Sequence, residues 1–218
     1  MQDQTPSRTA LATAYLRAAH QWLDDKPLLL NDPSALPLLG THAAETIHGA
    51  LGCYQSPEGK ALRAHVVLRS RFTEDRLERA TAKGITSYVL IGAGFDTFAL
   101  RQPSWARALK VVEVDHPATQ VAKRERIAKA GLPEPENVIF APIDFEREGL
   151  GEALGRCRLD PGSPAFLAGR YRVSARSRDR RYFAGGSGVC PGQRSGPDLP
   201  AALRSRTLKT GGKNFRTG

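Results

Sequence analysis

Acid is nearly missing from the last fifty residues of this 218-residue chain: residues 169–218 hold 12 Lys or Arg and, on the acidic side, Asp179 and Asp198 alone. Residues 1–168 hold 20 basic and 20 acidic side chains, so the whole formal charge of +10 sits in the terminal piece. A basic chain ordinarily points to nucleic acid or an anionic surface, through summed long-range attraction. Here the neutral body excludes that reading for most of the chain and confines it to the tail. Cysteine is scarce as well. Cys53, Cys157 and Cys190 are odd in number, far apart and without clustered histidines, which argues against a disulfide framework and against a metal site. No run approaches the ~18 apolar residues of a membrane span, and the N-terminus has no basic segment followed by an apolar stretch and a cleavage site. A cytoplasmic protein with no membrane partner is the expectation. The length suits one sizeable domain whose core needs no staples.

A third glycine is missing too. Ser87-Tyr88-Val89-Leu90-Ile91 is a short apolar run that stops at Gly92-Ala93-Gly94-Phe95-Asp96-Thr97. It reads as a strand buried on both faces that runs into a ligand loop, with glycines where backbone must approach a ligand closely. The next apolar run, Lys110-Val111-Val112-Glu113-Val114-Asp115, ends in an acid about 20 residues past the glycines, the spacing at which a βαβ nucleotide fold sets a carboxylate on a ribose hydroxyl. A dinucleotide site wants another glycine three residues after the second, where a pyrophosphate meets the helix. Thr97 stands there, after Asp96. An acid in that loop would repel a pyrophosphate, whereas a ligand with no phosphate and a positive sulfonium would tolerate it. S-adenosylmethionine is such a ligand.

The pair Gly92-Ala93-Gly94-Phe95-Asp96-Thr97 and Glu113-Val114-Asp115-His116-Pro117 resembles the leucine carboxyl methyltransferase family, including its bacterial S-adenosylmethionine-dependent O-methyltransferase branch, from about Arg8 to Ala168. The resemblance implies an α/β, Rossmann-like class I methyltransferase sheet with an N-terminal helical cover that helps shape an acceptor pocket. It implies S-adenosyl-L-methionine as cofactor and methyl transfer to a carboxylate or hydroxyl oxygen of a small molecule. Gly92, Gly94 and Asp115 are its cofactor-binding candidates. It further implies that Arg71 holds the methionine carboxylate of the cofactor and that Asp144 with Phe145 contacts the adenine. A planar guanidinium suits a carboxylate through two parallel hydrogen bonds, although Arg69 and Arg71 on a helix would ordinarily be solvated. No catalytic base or nucleophile is identified.

In order, Thr9 to Leu23 carries Leu11, Tyr15, Ala18, Ala19 and Trp22 at helical spacing behind a capping Ser7. Leu28 to Gly40, with Asn31-Asp32-Pro33 and Pro37, reads as turns between short apolar pieces. Ala61 to Lys83 suits one or two helices ended by Gly84. After the first strand, Phe98 to Ala108 is a connector. Pro117 opens a helix through Ala130, and His116 beside it is a structural neighbour rather than a base. Asn137 to Ile143 is a third strand ending at Asp144, and Glu148 to Arg158 a third crossover helix. Pro164 to Ala168 begins a fourth strand. The divisions are therefore an N-terminal cover over 1–84, a partial cofactor-binding domain over 85–168 and a basic tail over 169–218.

From Gly169 onward helical and strand periodicity stop, apolar residues are few, and Arg, Gly, Ser and Pro crowd in. The expectation is a disordered tail, a sheet incomplete after its fourth strand with an open edge, and a poor enzyme. Reading Gly169 to Ala175 one nucleotide later permits a Gly-Thr-x-Tyr-Leu continuation that resembles the family, so a shifted frame accounts for the break. Two alternatives stand beside the methyltransferase: a non-catalytic fragment whose tail binds nucleic acid, which the interrupted charge and missing module disfavour, and an NAD(P)-dependent Rossmann oxidoreductase, which Asp96-Thr97 disfavours.

Overall fold

The computed structural model describes residues 6–157, 159 and 163–169, together with the strand residues 188 and 189. Five helices come first: α1 Arg8–Leu23, α2 Ala35–Leu39, α3 Ala43–Gly49, α4 Leu51–Gln55 and α5 Pro57–Thr81. Strand β1 Ser87–Ile91, two 3-10 turns at Phe98–Leu100 and Ser104–Ala106, β2 Lys110–Asp115, α6 Pro117–Lys129, β3 Val138–Pro142, α7 Leu150–Arg156 and β4 Ala165–Gly169 follow. The four strands are parallel in the order β3-β2-β1-β4. This is the α/β sheet that the alternation of strands and helices predicts.

Strand β1 is central and buried at all five positions. Its side chains split by the two-residue period of a strand. Tyr88 and Leu90 enter a cluster with Leu77 of α5, Phe98 and Phe166, in which Tyr88 meets the Phe98 ring edge-on at 5.2 Å. Val89 and Ile91 enter the opposite cluster with Val112, Val114, Ile143, and Leu150 and Ala153 of α7. A third cluster joins Ala10, Ala14, Ala18, Leu38, Leu39 and Ile47 of the cover to Phe95 of the glycine loop and Ile127 of α6. The cover is thus continuous with the sheet domain.

Caps explain where the long helices start. The Ser7 hydroxyl accepts from Ala10 N–H at 3.2 Å, and Ser56 from Gly59 N–H at 3.0 Å ahead of Pro57. Helix α5 begins earlier than the apolar spacing indicates because that cap and the proline set its first turn. The stretch expected to be turns holds a helical piece, α2. Its Pro37 falls within the first turn, where an N–H would have no intrahelical partner, and Leu38 and Leu39 are buried. At the other end, Gly188–Val189 forms a two-residue strand, β5, paired antiparallel with Phe166–Leu167 of β4. That departs from a sheet ending at its fourth strand. An open edge of unpaired N–H and C=O groups is a template for any extended backbone within reach. The rest of the expected tail lies outside the described residues. Among the described residues no helix is long and apolar enough to cross a membrane.

The far side of the cover is fastened by charge. Asp24, just past α1, accepts from Arg63 of α5 at 2.8 and 2.5 Å and faces His20 Nδ1 at 2.6 Å. Arg63 also donates to the Tyr54 carbonyl at 2.6 Å, which brings in α4. The Arg63 hydrogen bond holds the Asp24 carboxyl below its usual range, burial opposing and His20 assisting. A lowered carboxyl pKa stabilises the fold above the unfolded value, about 3.9, and the contribution is lost as pH falls through the folded value. Asp24→Ala strands a buried guanidinium, so the expected loss at neutral pH is about 2–4 kcal/mol. Thermal melts of wild type and variant should start to approach one another below about pH 4 and converge only at lower pH, where the folded Asp24 carboxyl takes up its proton.

Candidate functional site

The strand ends are level. Ile91 pairs in register with Val114, and Val114 with Ala141, so the loops after β1, β2 and β3 meet at one edge of the sheet. Ligands of open α/β sheets bind outside such carboxyl ends. A cleft of about 1890 Å³ opens there, and Gly92, Asp115, His116, Ile143, Asp144 and Phe145 line its sheet side. Helix α6 and the segment from Leu36 to Ala44 form the other walls. The volume exceeds the ~300–1,000 Å³ of a single small-ligand pocket.

Asp115 is the most constrained group at this edge. Its Oδ2 accepts the Gly94 N–H at 2.5 Å and its Oδ1 the His116 N–H at 2.7 Å. Burial pushes the Asp115 carboxyl above its usual range, against those two bonds, which favour the ionised form. The loop is folded onto β2: Gly92 and Ala93 both donate to the Val114 carbonyl, at 2.8 and 3.1 Å. Gly92 and Gly94 take φ of 68° and 54°, the left-handed region that side chains disfavour. At Gly94 a Cβ would lie 2.9 Å from the Ala10 Cβ, so the bare backbone lets α1 lie against the loop.

Two acids of the sequence motif do other work than their position in it suggests. Asp96 is 1% exposed and does not line the cleft. Its Oδ1 accepts from Phe98 N–H at 2.8 Å, and its Oδ2 lies 3.9 Å from Arg17 Nη1 of α1. The repulsion of a pyrophosphate by an acid facing the ligand is therefore not how this loop selects. Glu113 is equally buried and pairs with Lys123 of α6 at 2.5 Å, while Gln120 donates to the Glu113 carbonyl at 2.7 Å. Together these fasten α6 beneath Asp115.

The structure brings Gly92, Asp115, Asp144 and Phe145 to the cleft, and Gly94 to Asp115 from behind. Asp144 turns its own loop, accepting from Glu146 N–H at 3.0 Å, with Arg147 Nε 3.3 Å from its Oδ2. His116 caps α6, its Nδ1 accepting from Ala118 N–H at 3.3 Å. Arg71 is not brought in. It is half-exposed on α5, paired with Asp75 one turn on at 2.8 Å, and absent from the cleft lining. Helical periodicity turns Arg69 inward instead, and its Nε is shielded from solvent. The sequence reading missed Arg17 and Asp32, whose signal, polar residues inside an otherwise apolar cover, is faint without coordinates. Among the described residues no cluster of His, Cys, Asp and Glu could hold a metal.

The sequence profile of the leucine carboxyl methyltransferase family matches residues 10–169. The chain is 40% identical over 79 residues to YktD of Bacillus subtilis, covering 36% of this chain and 26% of that protein. It is 30% identical over 161 residues to a protein of Saccharopolyspora erythraea, covering 73% and 55%, and 33% identical over 172 residues to one of Streptomyces coelicolor, covering 74% and 56%. All three are provisionally described as S-adenosyl-L-methionine-dependent methyltransferases. The chain spans about half the length of the curated relatives it matches. Among solved structures, apo SibL, an S-adenosylmethionine-dependent methyltransferase, superposes with a TM-score of 0.34 at 16% identity over 73% of this chain and 48% of that one, too loosely to bear on the fold.

Gly94→Ala should cost about 1–2 kcal/mol through its left-handed φ alone, and more through the contact with Ala10. Chemical denaturation of Gly94→Ala, Ala10→Gly and the double variant separates the two terms: a coupling between the sites reports the contact, and strict additivity would exclude it.

Proposed function

The chain belongs to the leucine carboxyl methyltransferase family, and we propose that it binds S-adenosylmethionine at the edge formed by β1, β2 and β3 and directs methyl transfer to an oxygen of a small molecule, a carboxylate or a hydroxyl. The observation that carries this is the Asp115 carboxylate, aimed into the cleft by two backbone N–H groups. A fixed carboxyl acceptor at the end of the second strand suits the hydroxyls of a ribose. Gly92 lets backbone approach the ligand, and Asp144 with Phe145 offers an acceptor and a ring for the adenine. The role that the resemblance gives Arg71 has no support from its position, so the cofactor's carboxylate is left without a named partner here.

A dinucleotide is disfavoured by the chain's own geometry. A pyrophosphate is held by the N-terminus of a helix that follows the first strand. Here β1 is followed by a three-residue 3-10 turn, Phe98–Leu100. That leaves no ladder of free N–H groups to meet two phosphates.

When bound, the cofactor would supply an electrophilic methyl on a sulfonium. The protein's part is alignment, since displacement at carbon needs the nucleophile held in line and most of the gain comes from that positioning. The walls from Leu36 to Ala44 and along α6 would enclose the acceptor and exclude water. No covalent intermediate on a side chain is required.

Asp115→Ala should weaken binding of S-adenosylhomocysteine by about 1–3 kcal/mol, the worth of a hydrogen bond to a charged group. Calorimetric titration of the folded variant checks this, and an affinity equal to wild type rejects the assignment.

A further inference from the structure

The loop against Asp115 is gripped by the N-terminal cover at three places. Ala10 of α1 lies on Gly94. Arg17 of α1 donates to the Phe95 carbonyl. Thr97 donates its hydroxyl to Asp32, in the segment between α1 and α2. Asp32 is 1% exposed and is itself held: its N–H donates to Gln21 Oε1 at 2.8 Å, and Gln21 Nε2 donates to the Leu30 carbonyl at 2.9 Å. Its carboxylate also lies 3.9 Å from Arg17 Nε and 3.4 Å from Arg101 Nε. Arg101 in turn forms a two-pronged bond with Glu74 of α5, at 3.0 and 2.5 Å. None of Arg17, Asp32, Glu74, Thr97 and Arg101 lines the cleft.

We infer that Thr97, clasped by Asp32, is a positioning residue for Asp115: the cover, closing on the glycine loop, sets the Gly94 N–H against the carboxylate that meets the cofactor. The inference rests on the proposed role of Asp115 for its functional consequence, though not for its geometry. The loop transmits position because it is short and internally bonded. Asp96 N–H donates to the Ala93 carbonyl at 2.9 Å, and Phe98 N–H to Asp96 Oδ1 at 2.8 Å. A shift at Thr97 therefore reaches Gly94, three residues back, instead of being absorbed between them.

The readout is the protonation of Asp115. The charged and titratable groups around it are His116 beside it, Lys123 and Glu113 beneath, Asp96 acting on Glu113, and Asp144 on the same edge of the cleft. Thr97→Val leaves these in place and removes only the hydroxyl at nearly constant volume. Loosening the loop weakens the Gly94 bond, which favours the ionised carboxylate, and burial is then less opposed.

The test is a carboxyl 13C NMR titration of the full chain without ligand, the Asp115 signal identified by its loss in Asp115→Asn, alongside S-adenosylhomocysteine affinity from pH 5 to 8. Thr97→Val should raise the Asp115 midpoint by about one pH unit, a tenfold change in its ionisation constant, and move the acid limb of binding upward equally. Thr97→Ser keeps the donor and should restore both. A wild-type midpoint in folded Thr97→Val overturns the inference, as does a Thr97→Ser midpoint displaced as far as that of Thr97→Val. If the midpoint moves but binding does not follow, the clasp stands and the ribose assignment fails. Should Thr97→Val not fold, Thr97→Cys, a weaker donor, should give a smaller shift in the same direction, and a wild-type midpoint there overturns the inference as well.

Discussion

The Asp32 carboxylate, buried where α1, α5 and the glycine loop converge, is the constraint on which the site depends. It draws together Arg17, Thr97 and Arg101, and through Arg101 it reaches Glu74. A buried ion pair is a doubtful source of net stability, because taking charges out of water costs about what their attraction returns. Its effect is on arrangement. Apolar clusters such as the one joining Ala14, Leu38, Ile47 and Phe95 tolerate small slips of one helix over another, whereas a carboxylate that accepts from a hydroxyl and faces two guanidinium groups at 3.4 and 3.9 Å is less tolerant. The cover is therefore registered to the glycine loop by charge and fixed to it by apolar burial.

A second buried pair does the same for the other wall. Glu113 and Lys123 sit at 1% exposure each and join β2 to α6 one turn below the edge of the sheet. Glu113 and Asp115 are alternate residues of one strand and so share a face. Asp115 rises to the cleft while Glu113 is neutralised underneath it. With the cover tied through Asp32 to the loop after β1 and α6 tied through Glu113 to β2, both walls of the cleft are anchored at the carboxyl edge of the sheet.

Much of this was legible in the sequence. The uninterrupted apolar run of Tyr88 to Ile91 signalled a strand covered on both faces, and it is buried throughout. The spacing from the glycines to Asp115 signalled an acid at the end of the second strand, and Asp115 stands there; that its carboxylate also accepts the Gly94 N–H was not legible. What stayed hidden was the direction of side chains. Asp96 and Glu113 belong to motifs that also contain cleft-lining residues, and nothing in one dimension says that both point inward to cationic partners from other elements. Arg71 and Arg69 differ by two positions, which on a helix is more than half a turn. A motif match therefore cannot say which of them turns inward, and neither lines the cleft. Helix α2 was obscured by Pro33 and Pro37, which read as breakers, although the second falls where a first turn accepts it.

The absent third glycine finds its physical reason in the same clasp. In a dinucleotide loop that glycine lets a helix start close under the pyrophosphate, and the helix is what holds the loop still. This chain has a three-residue 3-10 turn instead, which cannot serve as such a brace. Rigidity has to come from elsewhere, and it comes from Thr97 on Asp32 and from Arg17 on the Phe95 carbonyl, contacts made to the cover. The Thr97 hydroxyl bonds Asp32 where a helix would otherwise brace the loop. The departure from the dinucleotide pattern and the presence of an N-terminal cover are thus one solution: a loop relieved of binding phosphates can be held from behind, by groups that never meet the ligand.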